Sequence, residues 1–197
     1  MPYIAAITNG AQGAPLVFTF HGTGGDEHQF HGFARQLLPD AHVVSPRGDV
    51  SENGMSRYFR RTAEGIYDMQ DLAVRTEAMA RFMTSHKARV GADRVVALGY
   101  SNGANILASV ALTHPDIVDD LIMMYPLIPW DPTPQPGLKD HRILITAGQK
   151  DPICPAPQTT KFVDYLMSQN AHVTTQWHMG GHDIGKNELT AIANFLG

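Results

Sequence analysis

Apolar residues fall along this chain in short continuous runs, separated by stretches where they recur at helical spacing. Residues 15–20, Pro-Leu-Val-Phe-Thr-Phe, form an almost unbroken run rich in β-formers, which predicts a strand buried on both faces. The same reading gives strands at 41–45, 94–98, 121–125, 142–147 and 171–177. Between them, Asp26 can cap a helix running to about Leu38, with Phe30, Phe33, Ala34 and Leu37 on one face. Met69, Leu72, Thr76, Met79 and Met83 lie at helical spacing over 68–86 and read as core packing. Further helices are expected over 102–113, ended by His114-Pro115, over 160–167, and at the C-terminus, where Asp183 is placed to cap a helix holding Leu189, Ile192, Phe195 and Leu196. Residues 46–66 read as loop. Residues 126–137 hold five prolines, cannot be regular structure and are the best place for a small lid. Strands alternating with helices predict an α/β fold with a mostly parallel sheet, in one domain over 1–197.

One of these strand–helix junctions carries chemistry. Val95 to Leu98 is apolar, Gly99-Tyr100-Ser101-Asn102-Gly103 comes directly after it, and a small-residue helical run comes next. Gly-x-Ser-x-Gly in that context is a nucleophile elbow, in which a sharp turn projects the serine from the sheet edge. The plain alternative, a strand-to-helix turn with a capping serine, leaves the Asp and His loops further down the chain unexplained.

Composition removes several other classes. Net charge is −4, so no strongly basic face for nucleic acid is implied. No apolar run is long enough for a membrane span, and the N-terminus lacks the basic start and apolar core of a secretory signal. A single cysteine, Cys154, cannot form an internal disulfide and fits a cytoplasmic location; it reads as a small core residue. Cys and His are not spaced as in structural zinc sites, so no structural zinc is expected.

A serine hydroxyl needs a base, and the base needs a carboxylate to orient it. Asp151 lies in a Gly-Gln-Lys-Asp-Pro loop just after the strand at 142–147, and His182 lies in a Gly-Gly-His loop just after the strand at 171–177. The order Ser101, Asp151, His182 is that of α/β-hydrolases, and all three sit past strand C-termini, where open α/β sheets build their sites. His178 is the rival base, though glycines beside His182 let its loop approach the serine. Backbone amides of Thr23, in the loop His21-Gly22-Thr23-Gly24-Gly25, and of Asn102 are the expected oxyanion donors. Within 55–61, Tyr58 and Phe59 can line an acyl or aryl pocket, while Arg57, Arg60 or Arg61 can meet a substrate carboxylate or simply pair with Glu52, Glu64 or Asp68.

These pieces together resemble the phospholipase/carboxylesterase family of α/β-hydrolases, small esterases related to acyl-protein thioesterases. The matching segments are HGTGGDE at 21–27, SPRG at 45–48, ENGMSRYFRR at 52–61, GYSNGAN at 99–105, GQKDPICP at 148–155 and GGHDI at 180–184. The middle segment is similar to the bacterial branch of hydroquinone-stress carboxylesterases of the MhqD type. The resemblance implies a minimal single-domain α/β-hydrolase fold with helices on both faces and no cap domain, no cofactor, and often a homodimer. It maps a triad onto Ser101, Asp151 and His182 and oxyanion donors onto Thr23 and Asn102. The thioesterase relatives carry Gln after the nucleophile and Trp in the middle segment; here Asn102 and Tyr58 or Phe59 stand there. Small or medium carboxylic esters are therefore the expected substrates. A thioesterase or lysophospholipase using the same triad, and a non-catalytic ligand-binding protein of the same fold, are the alternatives.

Overall fold

Every residue of the run at Leu16–Phe20 is buried, as a strand with both faces covered requires. In the computed structural model, which describes residues 3–197, this run is β2 of a seven-stranded sheet. The strands are β1 (Ala5–Thr8), β2, β3 (His42–Pro46), β8 (Val95–Tyr100), β9 (Asp120–Met124), β10 (Arg142–Gly148) and β11 (His172–His178). Their spatial order is β1-β3-β2-β8-β9-β10-β11, and only β1 runs antiparallel to its neighbour. β1 has no sequence signal beyond a short mixed run; it is half-exposed and exists by pairing Ala5–Thr8 with the edge of β3.

The helices are α1 (His31–Leu37), α2 (Met69–Val90), α3 (Asn102–Thr113), α4 (Ala156–Ser168) and α5 (Lys186–Leu196). α2 and α3 pack on each other and against the sheet centre, α1 lies on β2 and β3, and α4 and α5 lie on the β10 side. α2 begins where Asp68 accepts from Asp71 N and ends at Gly91 in the left-handed region. Leu72, Thr76, Met79 and Met83 turn inward as expected, but Met69 is exposed.

Three expectations need correction. Asp26 does not cap a helix: its carboxylate accepts from His28 N in a turn, and α1 starts only at His31. Asp183 does not cap α5. Gly185 holds that position, and Glu188 reaches back to accept from its N–H at 2.6 Å. Residues 46–66 are not simply loop but two hairpins, β4 (Val50–Glu52) with β5 (Met55–Arg57) and β6 (Arg61–Ala63) with β7 (Ile66–Tyr67). Their strands are too short to show an alternating pattern in sequence.

The strand order reverses at β2. From there one connection leads to β3 on one side, and the chain later returns as β8 on the other. Such a switch point opens a crevice at the strand C-termini. Phe20 pairs with Gly99 there, which brings the loop at 21–25 beside the turn at Ser101.

Candidate active site

The turn after β8 is tight enough to dictate its residues. Ser101 has φ 51° and ψ −116°, a strained conformation for a side chain-bearing residue. A Cβ on Gly103 would lie 2.5 Å from the carbonyl oxygens of both Phe20 and His21, and one on Gly99 would lie 2.6 Å from Gly103 O. Glycine at these places lets α3 start directly against β2, and the serine is left at the crevice.

The β10 and β11 loops converge on it. Gly148, the last residue of β10, is paired with His178. It is touched so closely by the Gly180–Gly181 backbone that a Cβ would lie 2.0 Å from Gly181 O. This contact folds the loop carrying His182 over the loop carrying Asp151. Asp151 Oδ2 lies 2.6 Å from His182 Nδ1, and His182 Nε2 lies 2.9 Å from Ser101 Oγ. A carboxylate can only accept, so Nδ1 bears the proton and Nε2 of the neutral ring is free to accept from the serine hydroxyl. Asp151 is buried, and its other oxygen accepts from Ile153 N (2.8 Å) and Cys154 N (2.9 Å). Tyr100 OH donates to His182 O at 2.8 Å, and the rings of Tyr100 and Tyr125 flank the imidazole at 5.5 and 4.9 Å. Burial pushes the Tyr100 hydroxyl up to about 12, so it remains a donor.

His178, the rival base, is engaged elsewhere. Its Nδ1 accepts from Gly180 N, so its proton is on Nε2, which donates to Tyr125 OH at 2.8 Å. The Tyr125 hydroxyl in turn reaches Asp183 O and the buried Glu188.

The loop at 21–25 is pinned on each side of Thr23. Gly22 N donates to Gln29 Oε1, Gly24 N to Ser56 O, and Gly25 N to Gly22 O. His21 Nε2 accepts from Gly48 N, and its Nδ1–H donates to Gly22 O. Burial holds the His21 ring below the usual histidine range, so it stays neutral. Among the described residues, neither Thr23 N nor Asn102 N donates to a protein acceptor. Both stand beside Ser101 on a crevice of about 230 Å³.

Residues 55–61 divide differently from the sequence expectation. Tyr58 and Phe59 do not line the crevice: both are fully buried in the core. Tyr58 OH donates to Pro46 O and accepts from His21 N, and Tyr58 N donates to Asn102 Oδ1. Tyr58 thus braces the two candidate oxyanion loops from behind. Arg57 and Arg61 reach the crevice wall, while Arg60 pairs outside with Asp68 and Asp71. Sequence reasoning misses Tyr100, Tyr125 and the 153–154 amides. The one available signal is Asp151-Pro152-Ile153, an Asp placed to accept from the amide two residues on.

Among the described residues, Asp151, Cys154 and His182 are the one group close enough to share a cation. Burial pushes the Cys154 thiol up, its Sγ donates to Tyr125 O, and the two other side chains are bonded to each other. A protonated thiol is a poor ligand, so these donors do not suit a metal.

A switch-point crevice with a strained serine elbow defines a class, and the comparisons agree with it. A family model described as the alpha/beta hydrolase fold matches residues 15–144, and the chain belongs to that family, among its carboxylesterase-like members. It is 36% identical over 175 residues, 88% of either chain, to MhqD of Bacillus subtilis, which is described as a hydrolase. It is 47% identical to Atu2452 of Agrobacterium tumefaciens, a crystal structure of unknown function, with TM-score 0.93 over 98% of this chain and 95% of that one. It is 32% identical to a Bacillus cereus carboxylesterase, with TM-score 0.90 over 98% and 93%. No helix among the described residues is long and apolar enough to cross a membrane.

Proposed function

We propose that this hydrolase cleaves small or medium carboxylic esters through a covalent acyl-enzyme. Ser101 Oγ attacks the ester carbonyl while His182 Nε2 takes its proton. Asp151 keeps the imidazole in the tautomer that can accept, and stabilises the imidazolium that forms. Amides of Thr23 and Asn102 receive the negative oxygen of the tetrahedral intermediate. It collapses as His182 gives its proton to the leaving alkoxide, and water repeats the cycle on the acyl-serine. The observation that carries this reading is the unbroken line from Asp151 Oδ2 through His182 to Ser101 Oγ, with links of 2.6 and 2.9 Å, at a strained elbow. A crevice of about 230 Å³ favours small and medium esters over long lipids, since it falls below the range usual for drug-sized ligands.

A fluorophosphonate probe tests the nucleophile. It should label the wild type once, at Ser101, and leave Ser101→Ala unlabelled with kcat down about 10⁴-fold or more. Labelling that persists in Ser101→Ala would overturn the assignment.

A further inference from the structure

The crevice beside Ser101 has an unusual wall. Arg57 is only 3% exposed, yet its guanidinium is incompletely satisfied. Nε donates to Phe59 O at 3.3 Å and Nη1 to Thr23 Oγ1 at 2.8 Å, with Glu52 Oε2 at 3.2 Å from Nη1. Nη2 donates to no described residue. Arg61 stands next to it on the same wall. Its Nε is held by Glu52 at 3.0 Å and its Nη1 by Glu64, a half-exposed carboxylate at the rim, and its Nη2 likewise donates to no described residue. Asn102 completes the set. Its Oδ1 is taken by Tyr58 N, and its Nδ2 is buried with no partner.

A buried amide N–H left unpaired is costly, Arg57 and Arg61 each keep an Nη2 free beside their bonds to Glu52, and the natural complement of two adjacent guanidinium forks is a planar carboxylate. Burial, and after it the neighbouring Arg61, lower the proton affinity of Arg57, and Glu52 offsets this only in part. Glu52 balances the pair from behind but is not on the crevice wall. Glu64 is on it, and its carboxylate on Arg61 marks where another carboxylate fits.

We infer that this site selects esters carrying a second, free carboxylate, which Arg57 and Arg61 receive by displacing Glu64 from the rim. The inference rests on the esterase reading above. It adds what that reading leaves open: half-esters of short dicarboxylic acids, or acyl esters of short hydroxy acids, are preferred over neutral esters of equal length.

The test is a ratio. Hydrolysis is followed by pH-stat for monomethyl glutarate against methyl pentanoate, which places the anion on the acyl side. It is followed for 3-acetoxypropanoate against propyl acetate, which places it on the alcohol side. In one of these pairs kcat/KM for the anionic ester should exceed that of its neutral partner about tenfold or more, as expected for a charged hydrogen bond. Arg61→Gln and Arg57→Lys should bring that ratio toward one, and Glu64→Gln should raise it. Arg57 also holds Thr23, so its loss can slow all esters; a purely structural lesion would lower both members of a pair and leave the ratio unchanged. Ratios near one in both pairs, with neutral esters turned over, overturn this inference alone. Ratios unmoved by Arg61→Gln and Arg57→Lys do the same. Failure to hydrolyse any ester overturns the esterase reading, and this inference with it.

Discussion

Gly148→Ala tests whether the approach of two backbones places His182, the proposed base. The new Cβ would lie 2.0 Å from Gly181 O and 2.6 Å from Gly180 O. Ordinary contact begins near 3.4 Å, so the gap must open by about 1.4 Å. Both obstacles are main chain, so no rotamer change relieves them, and the 180–182 loop has to retreat. Taken along the line to Ser101, that retreat stretches a bond of 2.9 Å to about 4 Å, beyond hydrogen-bond reach. A displacement of about 1 Å at a reacting group costs on the order of 10²-fold in rate. The overpacking itself costs about 1–3 kcal/mol, which a domain of this size survives. The expected result is a folded protein, with melting temperature lowered by several degrees and ester kcat at least about 100-fold down. Calorimetry and steady-state hydrolysis measure the two effects separately. Gly32→Ala is the control: its Cβ meets nothing within 4 Å, and activity should be unchanged. Wild-type kcat in Gly148→Ala would refute the argument, since His182 would then be placed by something other than this contact.

The same geometry gives two more outcomes. Asp151→Asn should fold, because its oxygen can still accept from the Ile153 and Cys154 amides, but kcat should fall by about 10⁴-fold through loss of the correct imidazole tautomer; near-normal turnover would mean that another carboxylate orients His182. Acid should destabilise the protein in a window set by His21 and His31, whose folded-state proton affinities are both lowered, first by burial. The unfolded chain protonates near the ordinary value of about 6.5 while the folded chain does not, so this stability is full above that pH and is lost as pH falls below it. Urea midpoints should drop between pH 7.5 and 5.5, and the drop should be smaller in His21→Asn. An equal drop would sink the linkage. Glu27, whose affinity is lowered chiefly by its bond to Arg47, acts in a separate window below about 4.5.

Much of this arrangement is legible in local sequence. Residues 15–20 and 94–98 read as buried strands because each is nearly continuous and apolar, and the Gly-x-Ser-x-Gly turn sits where a sheet register must meet a helix start. Ser101, Asp151 and His182 can be nominated because each lies just past such a strand. Tyr58 and Phe59 cannot be placed, because an aromatic pair in an irregular segment suits a pocket and a core equally well. Tertiary contacts decide it: the bonds of Tyr58 to His21, Pro46 and Asn102, and the edge packing of buried Phe59 on Tyr67. β1 and the hairpins between 50 and 67 exist through pairing, which leaves no trace in strands of two to four residues. The roles of Tyr100 and Tyr125 depend on tilted ring contacts and hydrogen bonds to segments distant in the chain, which spacing does not encode.

The sheet order carries one more consequence, for durability rather than chemistry. Ser101 hangs from β8, a strand flanked by β2 and β9 and buried almost throughout, whereas His182 hangs from β11, an edge strand with β10 as its sole neighbour and no fully buried residue. Edges open at lower free energy than centres. The proposed nucleophile thus sits at the well-buried centre of the sheet and the proposed base at its margin. Heat or urea is therefore expected to reduce ester hydrolysis before the sheet unfolds, which activity and circular dichroism followed together would check. Reinforcement along β10, β11 and residues 178–185 is then expected to lengthen the working life more than better packing around β8.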